Sequence, residues 1–216
     1  IINNFFAVGA FIAPIVLVRL LAAGATLARL ATILGILSAV VCGYYVLIAF
    51  PAPKNVGASM TAGAGQVLSQ PLFWALAAML FLYVGCEGSM WYWLNKYLTQ
   101  ELGFAAQAAG ATVSLFAIGI IVGRLISWYL LGQNLLGPLS LTLLGAIGIA
   151  VTYVAMLMVR GQGAVKLLVT LSGVSMSPLF PTTLAATGAA FPQNLVGTAI
   201  GLAITGGWLG YVFIPP

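Results

Sequence analysis

The chain has 216 residues, of which 62% are apolar and 4% charged, with a formal net charge of +5. No soluble fold of this length buries so much apolar surface, so the chain reads as an integral membrane protein whose surroundings are the lipid bilayer. Its seven basic residues are scattered singly, without a patch or arm, which argues against nucleic acid as a partner.

A spanning helix needs roughly 20 mostly apolar residues, and seven segments meet that length: about 1–21, 27–50, 71–98, 105–131, 136–159, 164–190 and 195 to the end. The sequence therefore predicts an all-α fold, a polytopic transmembrane helix bundle. The second and third segments are separated by PAPKNVGASMTAGAGQ, the longest polar stretch. The other connections are short and carry Gly, Pro, Asn and Gln, as tight helix turns do. The chain starts at Ile1 without a charged n-region and ends in IPP directly after an apolar run. It reads as part of a longer protein, with no signal peptide. Cys42 and Cys86 lie in apolar runs and are expected to pack as small hydrophobes rather than to pair.

Small residues recur at three- and four-residue spacing, as in AIGIIVG and GLAITGGWLG. Such spacing lets membrane helices approach closely, and packing is the ordinary reason for it. GAFIAP (Gly9 to Pro14) is matched by GYVFIP (Gly210 to Pro215), which suggests a repeat of six helices.

The third segment contains YVGCEGSMWYW, with Glu87 well inside it. An ionised carboxylate facing lipid costs about 2.5 kcal/mol or more, so Glu87 must face the bundle interior or water, or be protonated. Burial raises the pKa of a carboxyl, which suits a proton carrier. A protonated Glu bonded to a neighbouring helix is the structural alternative. Tyr83, Trp91 and, one turn further, Asn95 share its helical face. Aromatic faces beside carboxylate and amide groups suit a sugar, whose ring has an apolar side and hydroxyl edges. Trp93, Tyr92 and Tyr97 fit an interfacial aromatic belt instead.

Arg124 lies close to the end of the fourth segment, where a snorkelling side chain is the simple reading. Ser172, Ser175, Ser177, Pro178, Pro181, Thr182 and Thr183 interrupt regular helix geometry in the sixth. The hydroxyls bond either the carbonyls that proline frees or their own helix backbone. Asn3, Asn4, Thr205 and Trp208 are further polar or aromatic candidates.

YVGCEGSMWYWLNKYLTQELGF, SLFAIGIIVGRLISWYL and SPLFPTTLAATGAAFP occur in that order. Together they resemble consecutive pieces of the major facilitator superfamily, most closely its fucose:proton symporter-like branch of sugar permeases. Gly123 and Arg124 match that branch's Gly-Arg pair, and Pro178 and Pro181 its Pro-x-x-Pro element. The resemblance implies helices five to eleven of a twelve-helix transporter. Residues 1–50 would then be the last two helices of the N-terminal bundle and 51–70 the inter-bundle linker. Residues 71–216 would be five helices of an incomplete C-terminal bundle, giving a partial major facilitator fold. It implies a secondary active transporter of a sugar or similar polar solute, coupled to protons and working by alternating access. Glu87, Tyr83, Trp91, Asn95 and Asn4 would bind solute, Glu87 would also be the candidate for proton coupling, and Arg124 would gate. Neither cofactor nor metal is implied. The full-length protein would be a monomer in the plasma membrane, a bacterial inner membrane. Under this topology Arg19, Arg29, Lys96, Arg160 and Lys166 fall near the outer face and only Lys54 and Arg124 near the inner one, the reverse of the positive-inside preference.

Other classes fit less well. A retinal protein needs a lysine within its last helix, and the seventh segment has none. Intramembrane proteases need a histidine beside GxSG, or two aspartates. The sequence has TLSG at 170–173 but neither histidine nor aspartate, so it is read as a non-enzyme. A transporter of a drug, nucleoside or organic anion, or a receptor, remains the alternative.

Overall fold

The computed structural model describes residues 9, 12–13, 16–17, 19–21, 23–48 and 60–215. The chain divides into two compact units, the smaller being Gly9–Gly57 and the larger holding every element from Met60 onward. Most of the first predicted segment, including Asn3 and Asn4, and the first half of the polar stretch lie outside the described residues.

In the smaller unit, α1 is Leu27–Leu47. Thr26 starts it, its hydroxyl oxygen accepting from the Arg29 backbone N–H at 3.3 Å and so satisfying one unpaired donor of the first turn. Among its residues only Leu30 is buried. Exposure of nearly every apolar side chain is expected for a helix that meets lipid.

The larger unit is helical throughout its described length. It consists of α2 (Met60–Leu68), α3 (Pro71–Lys96), α4 (Ala106–Gly132), α5 (Pro138–Met158), α6 (Gln162–Met176), α7 (Leu179–Ala190) and α8 (Gln193–Phe213). Among the described residues, six spans are long and apolar enough to cross a membrane: α1, α3, α4, α5, α6 with α7, and α8.

Three boundaries differ from the sequence expectation. α2 occupies the second half of the polar stretch. Its short MTAGAGQVL sequence is amphipathic, and tertiary burial holds it: Val67 is fully buried against the α3 and α8 side. α3 does not stop near Leu98 but continues through one π-helical turn, Tyr97–Glu101, before Gly103 turns the chain at a φ of +67°. The sixth segment is two helices, because Pro178 has no N–H to continue α6. Ser177 fills the gap by donating its hydroxyl to the Val174 carbonyl at 2.8 Å. Thr182 and Thr183 donate to Pro178 and Leu179 carbonyls at 2.6 Å. The hydroxyls of this region thus mainly bond their own backbone, and Thr182 additionally meets Thr142 of α5 at 2.8 Å.

Helices pack in close pairs. α3 lies along α8, and α4 along α6, which also packs on α5. These seams are made of glycine. A Cβ on Gly210 would overlap the Phe81 carbonyl of α3, and Cβ atoms on Gly119 and Gly173 would overlap each other's helix backbones. With little hydrophobic drive between helices inside lipid, this close backbone approach is what yields the van der Waals contact that associates them. α3 and α4 touch far less than either touches its pair partner, and a cavity lies between the pairs.

Candidate functional site

The cavity is about 220 Å³ and lies wholly within the larger unit. α3 contributes Tyr83, Val84, Glu87 and Trp91 to its wall, one face of the helix at intervals of one turn. α4 contributes Arg124, α7 Phe180, and α8 Ile204, Trp208 and Tyr211. The glycine seams put these side chains together: Gly88 lets α8 approach so closely that its Cβ would overlap the Tyr211 ring.

Glu87 is the 17th residue of the 31-residue span Pro71–Glu101. The π turn that lengthens α3 makes it central to that span. Arg124 is the 19th of the 27 residues of α4 and is 9% exposed. It was expected close to a helix end but lies deep enough to share the wall with Glu87. Each charge alone would cost about 2.5–3.5 kcal/mol at the centre of a lipid-facing helix. Both instead face one cavity, Glu87 half-buried and Arg124 buried.

The carboxyl of Glu87 has neighbours above and below on its own helix. Tyr83, one turn before it on the same wall, is 3% exposed. The Trp91 indole N–H points at Glu87 Oε1 from 3.4 Å, a long and weak contact, while its ring packs edge-on against Phe116 at 5.0 Å. Tyr153 of α5 completes the surroundings. It donates its hydroxyl to the Cys86 carbonyl at 2.9 Å, one residue from Glu87.

The expected set is therefore brought together in part. Glu87, Tyr83 and Trp91 share the cavity, and Trp208, a secondary candidate, joins them. Asn95 is exposed and outside the cavity wall; one further turn of α3 carries it past the end of the cavity. Thr205 is exposed and bonds the Gly201 carbonyl of its own helix. Asn4 lies outside the described residues. Trp93 donates to the Pro215 carbonyl and lies under the Lys96 ammonium at 4.7 Å, while Tyr97 donates to Met156 O at 3.1 Å. These aromatics tie helix ends together. Phe180, Ile204, Tyr211 and Tyr153 were not singled out by sequence. Nothing separates a cavity-facing aromatic in an apolar helix from a lipid-facing one until the partner helices are placed.

A carboxylate, a guanidinium and aromatic faces thus surround a small, mainly apolar mid-span cavity. The sequence profile described as Major Facilitator Superfamily matches residues 1–215. The chain belongs to the major facilitator superfamily. It is thus part of a membrane transporter, and its helix bundle is a partial major facilitator fold. No curated protein matches the sequence. In a major facilitator protein the natural occupant of such a cavity is a small-molecule solute, and no step of the cycle requires a covalent reaction on it.

Proposed function

We propose that this major facilitator protein is a secondary active transporter of a sugar or similar small polar solute, coupled to protons, and that Glu87 lies at the centre of its site. The observation that carries this is the placement of Glu87 at mid-span in a cavity it shares with Arg124, Tyr83 and Trp91. Intramembrane ionisable groups that face a cavity are characteristic of solute and proton pathways. Aromatic walls offer faces for a sugar ring, and Glu87 can accept hydrogen bonds from its hydroxyls. The resemblance to the fucose:proton symporter branch supports the sugar class. Residues 71–216 would form five helices of the C-terminal bundle, residues 1–50 the last two helices of the N-terminal bundle, and 51–70 the connection between bundles. Rocking of the two bundles would expose the cavity to each side in turn, in the plasma membrane of a bacterium. Asn95 would then act from outside the cavity wall, and Arg124 would serve in the cavity as well as in gating.

Uptake of labelled sugars into proteoliposomes holding the full-length protein, with and without an inward proton gradient, tests the proposal. Gradient-driven accumulation that Glu87→Gln uncouples from pH is the expected result. Equal affinity and equal pH dependence in wild type and Glu87→Gln would remove Glu87 from both roles.

A further inference from the structure

We propose that the end of the larger unit carrying Lys96, Arg160 and Lys166 is a docking surface for an anionic phospholipid. The three cations hold its phosphate, and its acyl chains lie along an exposed apolar stripe of α5. The surface is distinct from the cavity, whose wall takes no residue from α5 or α6.

The three cations are far apart in sequence, and the fold brings them to one end. α3 and α5 run towards that end, and α6 starts from it. Lys96 is the last residue of α3, Arg160 lies in the connection between α5 and α6, and Lys166 is the fifth residue of α6. Lys96 and Arg160 are exposed, and Lys166 is half-buried. Tyr97 donates its hydroxyl to the Met156 carbonyl at 3.1 Å and so joins the end of α3 to that of α5. Leu98 and Val165 are buried in one cluster, against which Val159 also packs. Each of these three lies within two residues of a cation, so the cations ring a common core. The connections at the opposite end, residues 69–70, 133–137 and 191–192, carry no charged side chain. The cationic surface thus belongs to one face of the membrane.

An apolar stripe leads away from Arg160. Leu144, Ile147, Val151, Val154 and Met158 recur at three- and four-residue spacing on one face of α5, and all five are exposed. Gly145, Ile149, Thr152 and Met156 are buried on the opposite face. From Leu144 to Met158 the stripe is about 21 Å long, more than the roughly 15 Å depth of hydrocarbon in one leaflet. α5 gives nothing to the cavity wall, which places this stripe on the lipid side of the bundle.

The stripe alone would accept any phospholipid, and the cations select among head groups. Each Lys or Arg near the membrane surface attracts anionic lipid. The Arg160 guanidinium can pair two phosphate oxygens through parallel N–H bonds, while the ammonium groups act as point charges beside it. Lys96 lies over the Trp93 ring at 4.7 Å, which keeps its charge at the level of the interfacial aromatics. Phosphatidylcholine offers the same phosphate but brings a quaternary ammonium that these cations repel. Phosphatidylglycerol brings no positive group and fits the surface.

The test reconstitutes the full-length protein in phosphatidylcholine vesicles with and without phosphatidylglycerol, extracts it in mild detergent and measures the retained lipid by native mass spectrometry. Phosphatidylglycerol should be retained over phosphatidylcholine by roughly 10-fold or more. Lys96→Gln, Arg160→Gln and Lys166→Gln should each cut that preference about five-fold, the attraction of one surface cation, and added salt should weaken it. Arg160→Lys, which keeps the charge, should keep most of it. Equal retention of the two lipids, or a preference that survives the triple Gln variant, overturns the proposal. Displacement of the retained lipid by glycerol phosphate overturns a lipid as the occupant, because it would show that the cations bind any phosphate without the stripe. Retention of no lipid overturns it as well, since a protein segment would then cover the stripe.

Discussion

The hydroxyl of Tyr153 on α5 donates a hydrogen bond to the backbone carbonyl of Cys86 on α3 at 2.9 Å. The bond arrives one residue before Glu87, at the middle of the span. α3 and α5 belong to different close-packed groups, so this tie fixes how the carboxylate-bearing segment sits relative to the rest of the bundle.

Tyr153→Phe keeps the ring and removes the bond. Interhelical hydrogen bonds in membranes are worth about 0.6 kcal/mol on average and up to about 1.7, so the melting temperature in detergent should fall by roughly 1–6 °C. The KM for solute should rise with it if Tyr153 positions Glu87. A variant that melts earlier but keeps the wild-type KM would show Tyr153 to be a structural tie alone.

Glu87→Gln carries an amide in place of the protonated carboxyl. On the proton-coupled reading proposed above, wild-type uptake should vary with pH through Glu87. The Gln variant cannot lose that proton, so its counterflow rate should be flat across the same range. Rate measurements at a series of pH values, inside and outside matched, read this directly.

The glycine seams make a contrast within one helix. Gly210→Ala would push a methyl into the backbone carbonyl of Phe81, whereas nothing lies within 4 Å of a Cβ at Gly201. Overpacking of this kind costs about 1–3 kcal/mol or more, since backbone cannot rotate away. Gly201→Ala should be neutral or stabilise by up to about 1 kcal/mol. Thermal unfolding of the two variants side by side should show opposite signs.

Thr142 and Thr182 join α5 to α7 at 2.8 Å, just beyond the Pro178 break. Each hydroxyl also bonds its own helix, to Pro138 O and Pro178 O respectively. A double-mutant cycle with Thr142→Val and Thr182→Val should therefore give a coupling of only about 0.6 kcal/mol. A coupling indistinguishable from zero would mean that α7 is held by packing alone.

Much of the architecture follows from composition. Runs of about 20 apolar residues must be helical, because lipid offers no partners for backbone N–H and C=O groups. The sequence accordingly places the spans of α1, α3, α4, α5 and α8 to within a few residues, and Pro178 marks the break in the sixth. The isolation of Glu87 among apolar residues marks a candidate functional position from the cost of charge in lipid alone. Three features needed the tertiary structure. α2 lies in a short Gly-rich stretch between spans, and burial of Val67 holds it helical. The π turn after Lys96 is a backbone choice that no residue pattern announces, yet it puts Glu87 at mid-span. Arg124 reads as a residue near a helix end until α4 is packed, and only then shares a wall with Glu87. Sequence determines which segments enter the membrane because burial in lipid is a local, additive property of the chain. Which side chains meet inside depends on where glycines let backbones touch, and that relation between distant segments exists only once the helices are assembled.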